Sequence, residues 1–351
     1  TLAIASGKKF NLNKKFIYNF LELSLVDLDQ ETILEGVNQF KQGYIYSINL
    51  EDNKLCLNDQ IYWKLEDKEE NFENLEKLIY EQFFKSIEIR LRSDVRIGIM
   101  LSGGIDSSTI ASVAKKINKN YNFQLLSFVN KSQKFDESQF IELMEEYLNT
   151  KSLKIKLPDK SNHYFDLLKE VSKKIDTPLP GASNLAHYLM MKEAKKNNLK
   201  VILSGQGADE SLCGYQKYLY FYLMNLFKKK KFIKFFKIAF SFLKNKSIFP
   251  EFNFNEAKRY LNKKNKNFYG SFLNKNEKTS IYSFGQNVRS RQISDIQKFS
   301  VPSICHFEDR LSMLNSVEVR YPFLDFNLIK LFVSLNIEKK LYKGWTKYVF
   351  R

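Results

Sequence analysis

The rhythm of apolar residues changes near residue 95. Upstream, Phe40 to Leu50 alternates apolar and polar positions after Gly43, and Leu55 to Trp63 holds a second alternating piece. Both predict strands joined by polar turns. Residues 64–74 are acidic and predict a linker into a helix starting at Leu75. Its apolar positions Leu78, Ile79, Phe83, Ile87 and Leu91 recur at helical spacing, and it ends near Ser93-Asp94.

From Val95 two patterns alternate. Val95–Leu101, Phe123–Val129, Leu153–Leu157 and Lys200–Leu203 are short apolar runs that predict buried strands. Between them lie helical patterns: one with Ile110, Val113, Ala114 and Ile117 on a stripe, then Glu137–Leu148, Tyr164–Ile175 and Leu185–Asn197. Thr177-Pro178-Leu179-Pro180-Gly181 breaks the series. Strands and helices alternating at crossover length predict an α/β fold with a doubly wound parallel sheet. Such sheets bind ligands at the carboxyl ends of their strands. After Ser211 the chain reads as mostly helical, and no internal repeat is visible.

Composition narrows the class. At 351 residues and 44% hydrophobic, the chain suits two domains, or one large domain with an appendage, and excludes a disordered or collagen-like protein. It has no uncharged apolar run of about 18 residues and no secretory opening, so no membrane partner is expected. Cys56, Cys213 and Cys305 are odd in number and far apart, which fits a reducing cytoplasm. The chain opens on Thr1 and stops mid-pattern at Arg351, as a piece of a longer protein would.

The net charge of +17 raises the question of nucleic acid. Residues 221–280 hold 15 Lys+Arg and 3 Asp+Glu, so +12 of it lies in sixty residues, where Asn262, Asn265 and Asn267 also cluster. There Phe232, Phe235, Phe236, Ala239, Phe240 and Leu243 recur at helical spacing, with Lys228 to Lys231, Lys234, Lys237 and Lys244 between them. An amphipathic helix that buries phenylalanines and solvates lysines accounts for the charge without a nucleic-acid partner.

Two glycine-rich loops carry the chemistry. Leu101-Ser102-Gly103-Gly104-Ile105-Asp106-Ser107-Ser108 follows a strand and opens a helix. Glycines bring backbone N–H groups against an anion, and the helix N-terminus favours it. Asp106 repels phosphate unless a divalent cation such as Mg²⁺ lies between them. The Gly-Lys-Ser/Thr ending of a Walker loop is missing, which argues against kinase and GTPase chemistry. A plain Gly-Gly turn with a Ser cap is the competing reading. The second loop, Ser204-Gly205-Gln206-Gly207-Ala208-Asp209-Glu210, also follows a strand. Asp209 is either a helix cap or a second carboxylate for the metal bound by Asp106.

Ser-Gly-Gly-x-Asp-Ser after a buried strand resembles the pyrophosphate loop of the ATP pyrophosphatase (PP-loop) superfamily. The second loop with Gly214-Tyr215, the block His306 to Met313 with Glu318 to Asp325, and the closing Gly344-x-x-Lys347-x-x-x-Arg351 resemble glutamine-hydrolysing asparagine synthetases. Phe135-Asp136-Glu137-Ser138 is similar to a weaker segment of that family. The dense charge around Arg320 predicts buried pairs with Glu318, Asp309 or Asp325 that support the site. On this resemblance residues 75–351 are the synthetase-type ATP-binding domain. Residues 1–63 are the end of a glutaminase domain whose amino-terminal Cys nucleophile no cysteine here supplies.

The resemblance implies ATP and Mg²⁺ as cofactors and a β-aspartyl-AMP intermediate made from aspartate, which ammonia derived from glutamine converts to asparagine. It implies ATP contacts from Leu101, Ser102, Gly103, Gly104, Asp106, Ser107, Val129, Asn130, Ser204, Gly205 and Lys347. The metal falls to Asp106 and Asp209, and catalysis to Lys347, Gln206 and Asp106. Gln206 departs from the Glu that many asparagine synthetases carry, and an amide cannot act as a base near neutral pH. An amidotransferase for another carboxylate, an acidic sugar or a natural-product acid, is therefore the alternative. A tRNA-modifying PP-loop enzyme and a non-catalytic scaffold rank behind it. A homodimer is compatible with all of these.

Overall fold

Asn13 begins the first helix, α1 (Lys14–Leu23), by accepting the backbone N–H groups of Lys15 and Phe16 on its side-chain oxygen. The structure, a computed structural model, describes residues 6–28, 30–49, 56–129, 137–158, 161–175, 177–245 and 287–351. Thr1, Asn130, Phe135-Asp136 and the Asn-rich stretch fall outside them. The sequence reading did not predict α1. Its Phe16 is buried among Leu167, Val171, Leu185, Tyr188, Phe307 and Leu311, so the amino-terminal segment packs on the main body.

The two alternating runs form an antiparallel hairpin of β1 (Tyr44–Asn49) and β2 (Cys56–Ile61). The acidic stretch that follows is no free linker. Leu65 is buried with Ile296, Ile329 and Val333, and Glu69 accepts hydrogen bonds from Arg289 (2.7 Å) and Asn336 (2.6 Å). Helix α2 (Leu75–Arg90) then buries Ile79, Phe83 and Ile87, the stripe its spacing predicts.

The predicted crossover units are all present. They are β3 (Ile97–Met100), α3 (Ile105–Ile117), β4 (Gln124–Phe128), α4 (Ser138–Leu148), β5 (Ser152–Ile155), α5 (Ser161–Ser172), α6 (Ala182–Lys196), β6 (Val201–Leu203) and α7 (Ala208–Leu212). The strands pair in parallel in the order β5-β4-β3-β6-β7, where β7 (Glu318–Arg320) comes from much later in the chain. Ile97, Ile99, Val201 and Leu203 join Phe83, Ile110, Phe323 and Phe332 in one cluster, while Leu126, Ile155 and Ile202 face Met190 and Met191 in another. Burying each such side chain contributes about 1.5–3 kcal/mol. The sheet is thus covered on both faces and presents its strand ends as the site.

Further details differ from the sequence reading. The fifth strand, Glu-Val-Arg, has one apolar residue and lies in the part of the chain that reads as mostly helical. Its Arg320 pairs with Glu318 (2.7 Å) and donates to the carbonyls of Arg90 and Arg92, but Glu318 is exposed, so the pair is not a buried one. Asp325 instead pairs with Arg90 at 3.2 Å.

The lysine run is also not a helix face. Helix α8 (Gln216–Lys228) ends at its start, Lys229 to Lys231 form a turn, and α9 (Phe232–Asn245) follows. Within α9 the buried stripe is Phe235, Ile238 and Phe242, whereas Phe236 and Phe240 are 66% and 67% exposed. Ile238 and Phe242 pack on α8, and the stripe is rotated one position from the expected phase. Helices α10 (Val288–Ser294), α11 (Val301–Met313) and α12 (Phe326–Ser334) complete the body. No described helix is long and apolar enough to cross a membrane.

Candidate active site

The first loop leaves β3 and enters α3. Gly103 has φ +78°, and a Cβ there would stand 2.6 Å from Phe140 Cβ, so the turn needs glycine on both grounds. Ser102 Oγ and Ser107 Oγ lie 3.1 Å apart. The Ser102 amide donates to Ser107 Oγ (3.1 Å), and the Gly104 amide to Ser102 Oγ (3.3 Å). These bonds close the loop into a cradle of hydroxyls and amides. Leu101 is buried beneath it and bonded to Leu126. Val129, at the end of β4, is buried and donates to the Ile155 carbonyl.

The second loop leaves β6, the immediate neighbour of β3. Ser204 is buried and donates its amide to the Arg320 carbonyl at 2.9 Å. At Gly205 the two loops touch, the position a Cβ would take lying 3.4 Å from Asp106 Cβ. Asp106 and Asp209 stand in the first turns of α3 and α7. Glu210 points elsewhere, buried against the Ser300 hydroxyl, and burial raises its pKa.

A third segment closes the site. Lys347, in the left-handed region at φ +54°, is buried and sends its ammonium between the two carboxylates. It contacts Asp106 Oδ2 closely and Asp209 Oδ1 at 2.7 Å. Burial alone would lower the Lys347 pKa, yet Asp209 and Asp106 outweigh it and raise it, so the ammonium is fixed. Burial raises the Asp106 pKa, and the Asp209 charge adds to that against the opposing pull of Lys347.

Gly214 makes this convergence fit. A Cβ there would stand 1.7 Å from Asp209 Oδ1 and 2.4 Å from Lys347 Cε. Sequence reading named this glycine only as part of a motif, because the clash it avoids involves a residue far along the chain.

The site suits a divalent cation. Two carboxylates against one ammonium leave a net negative charge that would repel a polyphosphate, and Asp106 Oδ1 is buried with no hydrogen-bond partner. Hard oxygen donors of this kind fit Mg²⁺. Among the described residues no group of three or more His, Cys, Asp or Glu could hold a metal alone, so part of its shell would come from phosphate and water.

The last residue of the expected set, Gln206, follows Gly205 in the second loop, and its side-chain bond goes to a residue outside this cluster. Its amide donates to Glu308 Oε1 at 2.8 Å, and Glu308 belongs to α11. No sequence signal joined these two residues.

A doubly wound parallel sheet whose two adjacent glycine-rich loops bring paired carboxylates to one lysine defines a PP-loop nucleotide-binding domain. The asparagine synthase family profile matches residues 78–351, and the chain belongs to that family. It is similar to asparagine synthetase (glutamine-hydrolysing) 1 of Bacillus subtilis, with 28% identity over 301 residues, 80% of this chain and 46% of the relative. A putative asparagine synthetase 2 of Methanocaldococcus jannaschii is 28% identical over 236 residues, 64% of this chain and 42% of its own length. The maize asparagine synthetase is 30% identical over 150 residues, 40% of this chain and 25% of its own. The chain spans less than half the length of these relatives.

Proposed function

We propose that this chain is the synthetase half of a glutamine-dependent asparagine synthetase. In this reading residues 75–351 form the ATP-binding domain and residues 1–63 the end of a glutaminase domain. The observation that carries it is the meeting of Asp106, Asp209 and Lys347 at the carboxyl ends of two adjacent parallel strands. Ser102, Gly103, Gly104 and Ser107 bind the phosphates, with Leu101, Val129, Ser204 and Gly205 shaping the nucleotide site.

The side-chain carboxylate of aspartate attacks the α-phosphorus of ATP and pyrophosphate leaves. No proton moves in that step; the task is to align two anions and stabilise the charge that gathers on the leaving group. Lys347 is suited to it, because its ammonium is held charged between the carboxylates of the two loops. Asp106 and Asp209 would hold Mg²⁺, which neutralises phosphate charge when bound. Ammonia then displaces AMP from the acyl-adenylate.

The relatives' names support aspartate as acceptor, while Gln206 leaves room for another acid. The test is pyrophosphate release by the intact protein given Mg-ATP, ammonium and a panel of carboxylic acids. Release that requires aspartate supports the reading. Release driven by a different acid replaces the acceptor, and no release with any acid overturns the activity.

A further inference from the structure

Bonded to the second loop lies a cluster of buried polar side chains that the steps above do not use. Glu308 is buried, its Oε1 accepts the Gln206 amide, and its Oε2 has no hydrogen-bond partner. His187 Nδ1 stands 4.0 Å from Oε1, and both nitrogens of that ring are unpartnered. Burial lowers the His187 pKa and keeps the ring neutral. The Tyr321 hydroxyl is likewise unpartnered, and burial with the nearby Glu308 holds it protonated. Among the described residues no lysine or arginine pairs with Glu308. A buried carboxylate among neutral groups costs stability, so its presence calls for a use.

This polar cluster is tied to the second loop through Gln206. Gln206 sits between Gly205, which touches Asp106, and the helix that carries Asp209. The second half of the proposed reaction needs a base at this place. When ammonia forms a bond to the acyl carbon, nitrogen becomes positive and must lose a proton as the bond to AMP breaks. Asp106 and Asp209 are engaged by Lys347, and Gln206 is an amide. Asp106 Oδ1 and Glu210 Oε2 are also unpartnered, but Asp106 is the residue placed at the metal and Glu210 is bonded to Ser300, which leaves Glu308 Oε2, tied to the second loop through Gln206.

We propose that Glu308 is the catalytic base for amide formation and that Gln206 is the positioning residue that aims it. The inference rests on the amide-forming function proposed above. The nitrogen–carbon bond forms, the carbon–oxygen bond to AMP breaks with its electron pair going to the AMP oxygen, and the proton released by nitrogen goes to Glu308 Oε2 and then to water. The pair divides the work of one acidic side chain between the second loop and α11: position 206 supplies the hydrogen bond, and α11 supplies the charge.

Glu308→Gln in the intact protein separates the half-reactions. Amide formation with ammonium falls by about 10²–10⁴-fold, the range for loss of a general base. Aspartate-dependent ATP–pyrophosphate exchange, which precedes the proton transfer, stays within about threefold, on the same ground. Hydroxylamine, unprotonated at neutral pH, forms hydroxamate with a smaller loss. The exchanged pair Gln206→Glu with Glu308→Gln returns the carboxylate to the same hydrogen bond and recovers at least about tenfold of the lost amide formation. Equal loss of exchange and amide formation in Glu308→Gln, no loss of either, or no recovery in the exchanged pair overturns the assignment. Absence of exchange in the unmodified protein with every acid tested is a different result, which removes the proposed function and this inference together.

Discussion

The Asp209 carboxylate lies 2.7 Å from the Lys347 ammonium, although the two residues stand on separate segments that meet only in the folded chain. The same ammonium touches Asp106, so one cation fastens both loops. Replacing Lys347 with Met leaves two carboxylates facing each other and removes the charge offered to the leaving pyrophosphate. ATP–pyrophosphate exchange is expected to fall by about 10²–10³-fold, as for loss of one preorganised electrostatic contact. Isotope exchange at saturating Mg-ATP checks it.

Asp106→Asn keeps shape and removes charge. It is expected to abolish exchange and the rise in melting temperature that Mg-ATP gives the unmodified protein. Unchanged exchange would remove Asp106 from the metal site.

Gly214→Ala introduces a methyl where Asp209 Oδ1 and Lys347 Cε already stand. Displacing that pair by about 1 Å is expected to cost on the order of 100-fold in exchange rate. Steady-state kinetics and a melting curve distinguish this from unfolding, since the fall in activity should exceed what the stability change explains.

A buried hydrogen-bond chain fixes the amino-terminal segment. His306 Nδ1 meets Asp27 Oδ2 and His306 Nε2 meets Thr177 Oγ1, each at 2.7 Å. Burial pushes the Asp27 carboxyl up, but its bond to His306 and the His306 charge outweigh that and hold it below the usual range. Its stabilising share is therefore full above the unfolded pKa of about 4 and is lost as pH falls through the lower folded value. His306→Ala is expected to lower stability by about 1–3 kcal/mol through loss of its bonds to Asp27 and Thr177, read by urea melts, and to flatten that acid limb.

Lys340 is fully buried and, among the described residues, bonded only to neutral oxygens of Gln292 and Val333. Burial lowers its pKa to about 8. Between that value and its ordinary one, the unfolded chain binds the proton that the folded chain has released, so stability rises with pH across this window. The gain approaches about 3 kcal/mol at the upper end. Urea melts at pH 7 and pH 10 should show the gain in the unmodified protein and its loss in Lys340→Met.

Local patterns revealed much of this structure. Strands β3, β4 and β6 are short apolar runs because both sheet faces are covered, and the glycine-rich loops follow them directly. Strand β7 was hidden because an edge strand of Glu-Val-Arg carries no hydrophobic run. The phase of α9 was misread because more phenylalanines lie on that helix than one face can bury. The bond between Gln206 and Glu308 could not be read at all, since it spans 102 positions and depends on how α11 docks behind the second loop. Lys347 was recognisable only through family resemblance, as nothing local marks a lysine near a chain end.

The inner side of α9 also braces the loop that leads to Lys347. Gly344 fits against the Ser241 carbonyl, where a Cβ would approach to 2.4 Å, and the Asn245 amide donates to the Lys343 carbonyl at 2.6 Å. Damage to this distant hairpin, by a protease nick or an ill-placed fusion tag, would therefore disarm the enzyme while every reacting group stayed chemically intact.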